Sequence, residues 1–324
     1  MEDTIRNFPK QFEWEAKIQN EDLLSNQIAR HLVCGMGGSA LAADLLRTIF
    51  WDSQIPKLEI WRDYALPPGV DKNTLVITSS YSGNTEETIS SFEEAIKNNL
   101  SVAAITTDGK LLELAKEHGM PYIQIPDTGI QPRMATGYSI KALLKIIGDE
   151  ESLKSISELS QLFDARSAEA AGEDIARSLK GKIPIIYSSN RNLSVAYNWK
   201  IKFNETGKIP AFANRFPELN HNEMTGFDRG QGLLPNLDLG IFHFVFLEDE
   251  IDNSQIQKRM EITKKLYKDR ALQFSSLKLH GENIYHKIFQ SLLVADWAAY
   301  HTAKNYGSDS EYVPMVEEFK KMIK

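Results

Sequence analysis

Hydroxyl side chains crowd one short stretch of the chain. After the apolar run Leu75-Val76-Ile77 come Thr78, Ser79, Ser80, Tyr81, Ser82 and Thr85, arranged around Gly83. Thr85, followed by Glu86 and Glu87, reads as the N-cap of a helix. Strand, hydroxyl-rich turn and helix start together make a place for an anion. The first N–H groups of a helix have no intrahelical partner, and the helix dipole favours negative charge there. Ser80, Ser82 and Thr85 add neutral donors. No lysine sits in the loop, so it is not the phosphate loop of nucleotide hydrolases. An ordinary capped turn needs no such density of hydroxyls, and phosphate binding accounts for it better.

A second turn, Gly35-Met36-Gly37-Gly38-Ser39-Ala40, follows the apolar Leu32-Val33-Cys34 and opens a helix carrying Leu41, Leu45 and Ile49. It fits the dinucleotide fingerprint G-x-G-x-x-A, and Glu59 lies near the distance expected of a ribose-binding acid. A dinucleotide, however, needs no hydroxyl cluster two strands away. A sugar phosphate does, if one loop faces the sugar and the other the phosphate. Gly37, Gly38 and Ser39 are therefore read as the sugar side and Ser80, Ser82 and Thr85 as the phosphate side. The dinucleotide reading stays as a rival.

These loops need strands and helices to hold them. Strands are expected at Leu32–Cys34, Leu58–Trp61, Leu75–Thr78, Val102–Ile105 and Tyr122–Ile125, with helices between them and a helical start up to about Arg30. Such alternation implies βαβ units and a parallel sheet with helices on both faces. A helical connector rich in Ser, Glu and Ala runs to about Lys180 and divides a domain at 1–150 from one at 151–324. Alternation then resumes, with strands at Ile183–Tyr187 and Phe242–Leu247, a helix from Leu193 to about Thr206, and a last helix at Val313–Ile323. The second half reads as a degenerate copy of the first. Where its phosphate loop would fall stand Glu248, Asp249 and Glu250, which repel phosphate, so one anion site per chain is expected.

The bulk numbers agree with a globular α/β protein. With 324 residues, 42% apolar and 25% charged, the chain can build about two cores. A net charge of −7 argues against nucleic acid as a partner, since phosphate backbones reward a basic face. No apolar run reaches membrane-spanning length, and the first ten residues lack the apolar segment of a signal peptide. A single cysteine, Cys34, excludes an intrachain disulfide and suits a reducing compartment, so a cytoplasmic location is expected. No histidine pair has ligand spacing, and the G-x-S-x-G elbow of a serine hydrolase is missing. Neither metal nor other cofactor is called for.

The two loops together look like a sugar isomerase (SIS) domain. With Pro132-Arg133, Asn204-Glu205 and Pro217-Glu218-Leu219-Asn220-His221-Asn222-Glu223 added, nearly the whole chain resembles the bifunctional phosphoglucose/phosphomannose isomerase family. The Pro217–Glu223 run is the most specific of these motifs. The resemblance implies two SIS-type doubly wound subdomains, a homodimer, and metal-free interconversion of glucose 6-phosphate and mannose 6-phosphate with fructose 6-phosphate. Moving a proton between C1 and C2 needs an open chain, one base near both carbons and something to hold the enediolate oxygen.

By resemblance, Glu205 is that base. It continues the helix face of Tyr197 and Ile201 and so should be partly desolvated; otherwise it would be a surface residue paired with Lys202 or Lys208. Arg133 lies in a loop at the carboxyl end of the sheet and would steady the enediolate. Histidine as a residue type suits ring opening, and the family implies that His221 comes from the neighbouring subunit. Lys320, or Lys321 in a second register, matches a lysine that assists ring opening, although lysines are common at helix C-termini. Two departures bear on substrate preference: Thr206-Gly207 after the glutamate, and Val313 where a threonine is expected. The rivals are an amino-sugar-phosphate enzyme of the same superfamily and a non-catalytic sugar-phosphate sensor.

Overall fold

The computed structural model describes residues 1–24, 28–53, 57–228 and 238–323. It divides into two compact units, Arg6–Phe163 and Asp164–Lys324, the latter joined by Met1–Ile5. The chain opens with a short helix, α1 (Glu2–Arg6). The unit Arg6–Phe163 is a parallel sheet of β1 (Arg30–Cys34), β2 (Lys57–Trp61), β3 (Thr74–Ser79), β4 (Ser101–Thr106) and β5 (Tyr122–Gln124) in the order β2-β1-β3-β4-β5. The helices are α2 (Leu41–Ile49), α3 (Glu86–Lys97), α4 (Gly109–Glu117), α5 (Thr136–Ile147) and α6 (Glu150–Ser157). Every residue of β3 is buried, as a central strand covered on both faces requires.

The N-terminal stretch expected to be helical is mostly not. It makes 3₁₀ turns at Phe8–Glu13 and Glu21–Leu23, and residues 25–27 lie outside the described residues. Pro9 supplies no N–H to an α ladder, and tertiary bonds replace it. Gln11 donates to Met134 O at 2.7 Å and accepts from Gly137 N at 3.0 Å, while Gln19 exchanges backbone bonds with Tyr122 at 2.8 and 3.2 Å. The connector expected at 151–180 also breaks, into α6, a 3₁₀ turn at Glu158–Gln161 and α7 (Ala165–Ser178). Phe163 packs with Phe8 and Phe12, ring centroids 6.0 and 5.5 Å away, so residues 151–163 belong with the first unit.

The second unit holds α7, β6 (Ile183–Ser189), α8 (Leu193–Glu205), β7 (Phe212–Phe216), β8 (Phe242–Asp249), α9 (Ser254–Asp269), β9 (Gln273–Leu279), α10 (Ile284–Asn305) and α11 (Pro314–Met322). Its parallel sheet runs β7-β6-β8-β9, which repeats the winding of the first sheet without the fifth strand. β7 is not visible as a strand in the sequence. It is an edge strand with Phe212 54% exposed, so its side chains do not alternate in polarity. A core of Tyr187, Phe216, Phe244, Phe246 and Tyr267 covers one face. On the other, α7 crosses α10 closely enough that a Cβ on Gly172 would sit 2.5 Å from Trp297 Cβ. Between α8 and α10, Trp199 Nε1 donates to Ser291 Oγ at 3.0 Å, and Lys202 Nζ meets Asp296 Oδ1 at 2.6 Å, both charges buried.

Candidate active site

In the first sheet the strand order reverses between β1 and β3, and ligands of such sheets bind outside the strand ends at that point. Both loops singled out in the sequence leave the sheet there. They are stitched together: Ser39 Oγ accepts from Tyr81 N at 2.8 Å, and Ser79 Oγ donates to Ser39 O at 2.9 Å. A Cβ on Gly35 would lie 2.7 Å from Ser79 O, so the glycine permits the approach. Gly83 is held at φ +69°, with Asp108 O filling the space of a side chain.

Ser80 Oγ lies 2.8 Å from Thr85 Oγ1, and Ser82 is exposed. Thr85 is the N-cap residue of α3 but makes no side-chain capping bond. Its hydroxyl is turned to Ser80 instead of to the first N–H groups of α3. Burial, with Asp127 nearby, pushes the Tyr81 phenol up to about 12, so it stays a donor.

Arg133 belongs to the 3₁₀ turn Pro132–Met134 and is 1% exposed. Gly38 packs against this turn: a Cβ there would lie 2.6 Å from Arg133 N and 2.7 Å from Pro132 C. The glycine loop, the hydroxyl loop and the Arg133 turn therefore share one end of one sheet. The acid of the dinucleotide reading is committed elsewhere. Glu59 lies mid-strand opposite Leu32 and is ion-paired with Arg30.

Glu205, His221 and Lys320 all lie in the second unit. Glu205 ends α8 and is half-buried beyond Tyr197 and Ile201, as its helix face implies. His221 is exposed at the end of the 3₁₀ turn Glu218–His221. Its neighbours fasten the run. Leu219 is fully buried, Asn220 Nδ2 donates to Thr263 Oγ1 at 2.9 Å, and Glu223 accepts from Tyr187 OH at 2.6 Å and from Asn214 Nδ2. Tyr187 and Glu223 were not among the residues picked from sequence. The signal was the closing acid of the Pro217–Glu223 run, but its partners lie on two strands, Asn214 nine residues back on β7 and Tyr187 thirty-six residues back on β6. Lys320 is exposed on α11, 2.9 Å from Glu317 Oε1, and no residue of α11 is buried.

The second sheet reverses its order between β6 and β8, and the chain fills that crevice itself. Asp249 Oδ1 accepts from Lys287 Nζ at 2.7 Å and from Ile251 N at 3.2 Å, while its Oδ2 accepts from Asn192 Nδ2 at 3.1 Å. A carboxylate of the chain, paired with Lys287, thus lies at this switch point. Among the described residues no group of three or more His, Cys, Asp or Glu could hold a metal ion, and no helix is long and apolar enough to cross a membrane.

A doubly wound sheet pair with hydroxyl loops at the first switch point is the architecture of SIS-type proteins. A putative phosphosugar isomerase from Clostridium difficile superposes with a TM-score of 0.70 over 99% of this chain and 97% of its own, at 13% identity. Residues 168–323 match the family model of the bacterial phospho-glucose isomerase C-terminal SIS domain. The bifunctional phosphoglucose/phosphomannose isomerase of Aquifex aeolicus is 33% identical over 99% of this chain and 97% of that one. A D-glucosamine-6-phosphate 4-epimerase of Sulfolobus acidocaldarius is 32% identical over 61% of this chain and 64% of that one. The chain belongs to the bifunctional phosphoglucose/phosphomannose isomerase family.

Proposed function

We propose that the chain is an aldose–ketose isomerase that interconverts glucose 6-phosphate, mannose 6-phosphate or both with fructose 6-phosphate. The observation that carries this reading is the stitching of Ser39 to Tyr81, which gives one crevice a glycine-lined side and a hydroxyl-lined side. Phosphate sits on Ser80, Ser82, Thr85 and the start of α3, and Gly37, Gly38 and Ser39 face the sugar. His221 and Lys320 open the ring, one protonating O5 as the other relieves the anomeric hydroxyl of its proton. Glu205 then takes the proton from C2 of the aldose and returns it to C1, and Arg133 holds the oxygen of the cis-enediolate between the two steps. The substrate's own carbons are oxidised and reduced in turn, so the reaction needs no external electron carrier.

The working form is a homodimer in which His221 serves the neighbouring copy. Support comes from the exposure of His221 and from the bare apolar stripe of α11, where Met315, Phe319 and Met322 are 82, 61 and 80% exposed. Cys34 is buried and its thiol pushed up to about 12, which makes it inert and suits a cytoplasmic location.

A second reading is favoured by the likeness to the 4-epimerase, which is similar over about three fifths of the chain. There the same loops would hold an amino-sugar phosphate. The deciding experiment offers glucose 6-phosphate, mannose 6-phosphate and glucosamine 6-phosphate separately to the purified protein in EDTA. Formation of fructose 6-phosphate from either of the first two supports the isomerase. Conversion of the amino sugar alone replaces it with the second reading.

A further inference from the structure

The turn after α8 is held in an unusual way. Lys208 is one of few residues other than glycine at positive φ, +58°. That conformation persists where the surroundings over-determine it. Gly207 has no room for a side chain, since a Cβ there would lie 2.8 Å from Phe203 O. Asn204 Nδ2 donates to Ile209 O at 3.0 Å and closes the turn. The result aims Lys208 back over the helix end. Its Nζ donates to Glu205 O at 2.5 Å and, 104 residues further along the chain, to Tyr312 O at 2.6 Å. Glu205 O is one of the carbonyls that a helix C-terminus leaves unsatisfied, and the negative end of the helix dipole favours a cation there.

Tyr312 precedes α11 by one residue, Val313, the N-cap of that helix. The turn before it is itself organised. Asp309 Oδ1 accepts from Glu311 N at 2.7 Å and Tyr312 N at 3.3 Å, and these bonds, with Lys208 nearby, keep its carboxyl below the usual carboxylate range. Within one chain α11 buries none of its own residues, so packing on the rest of that chain does not fix it.

We propose that Lys208 is a positioning residue: one ammonium group ties the start of α11 to the end of α8, so that Lys320 and Glu205 are carried on one fastened piece. The role rests on the functions given above to Glu205 and Lys320, but the tether itself does not. Methionine at this position keeps the stem and loses the donors; arginine keeps donors and charge.

The test compares the intact protein with Lys208→Met and Lys208→Arg by amide hydrogen exchange and by steady-state kinetics on glucose 6-phosphate and mannose 6-phosphate. In Lys208→Met, exchange over 309–323 should rise by about tenfold or more while the strands β6 and β8 stay protected. Turnover should fall by about ten- to a hundredfold with KM little changed, the cost of misplacing groups by about an ångström. Lys208→Arg should restore most of both. Unchanged exchange in Lys208→Met overturns the tether. Raised exchange with unchanged turnover overturns the positioning role. Raised exchange in a protein whose wild type turns over none of these sugars supports the tether and sinks the isomerase reading instead. If Lys208→Met does not accumulate, Lys208→Gln, which is shorter and uncharged, is read by the same criteria.

Discussion

Glu205 is the side chain whose replacement should most cleanly separate binding from chemistry. Glu205→Gln keeps volume and polarity and removes the proton acceptor. Turnover should fall by about 10³-fold, within the range that positioned acid–base groups supply, while sugar-phosphate binding measured by calorimetry stays within a few-fold. A variant that kept most of its turnover would exclude Glu205 as the base. Gly38 makes a different kind of contribution. The space beside it is occupied by the backbone of Pro132 and Arg133, at 2.7 and 2.6 Å from an added Cβ, and backbone cannot step aside as a flexible side chain can. Gly38→Ala should lower stability by about 1–3 kcal/mol and, by displacing Arg133, weaken turnover more than phosphate affinity. Thermal melts and kinetics on the same sample check both.

Two elements of the second unit are held by buried polar groups rather than by packing alone. The 3₁₀ run that presents His221 is anchored through Glu223 on Tyr187, whose phenol is pushed well up by burial and so remains a donor. Tyr187→Phe leaves Glu223 Oε1 short of a partner and should cost about 1–3 kcal/mol, with amide exchange rising over 217–227 ahead of the sheet.

The turn from β8 to α9 carries Asp252, 6% exposed, whose carboxyl burial raises from 3.8 to about 6, helped by the charge of Asp249 and opposed by a bond from Ser189. The folded chain therefore holds this proton more tightly than the unfolded one. The stability it contributes is complete below pH 3.8 and is lost as the pH rises through about 6. Asp252→Asn should remove that loss: a gain of about 3 kcal/mol over wild type near pH 7, vanishing below about pH 4, in denaturant titrations. A constant difference across this range would refute the assignment.

At the scale of the molecule, the proposed dimer makes a prediction that no single chain can fulfil. Mixed dimers of Glu205→Gln and His221→Ala should regain one intact site, the one that takes Glu205 from one copy and His221 from the other. Random mixing should then restore about a quarter of wild-type turnover, whereas a site built within one chain restores none.

Much of this organisation was legible in the sequence. Val76-Ile77 running into Ser79 and Ser80, with Gly83 in the turn and Thr85 at the cap, marked β3, its loop and α3 because burial on both faces writes a continuous apolar run and a turn writes glycine and hydroxyls. The repeat was legible for the same reason, since the second sheet winds in the order of the first. β7 was not, since an edge strand half in solvent need not alternate. Nor was the N-terminal arm, where Gln11 and Gln19 take partners at Met134, Gly137 and Tyr122 instead of making a helix. What the sequence by itself determined is the order of strands and turns and the kinds of side chain offered at each strand end, because these rest on local periodicity and local conformation. Which of those ends meet was decided only in the tertiary structure. Ser39 finds Tyr81, Glu223 finds Tyr187 and Lys208 finds Tyr312, because such bonds form between groups that the sheet order and the helix ends bring together, and distance along the chain carries no record of them.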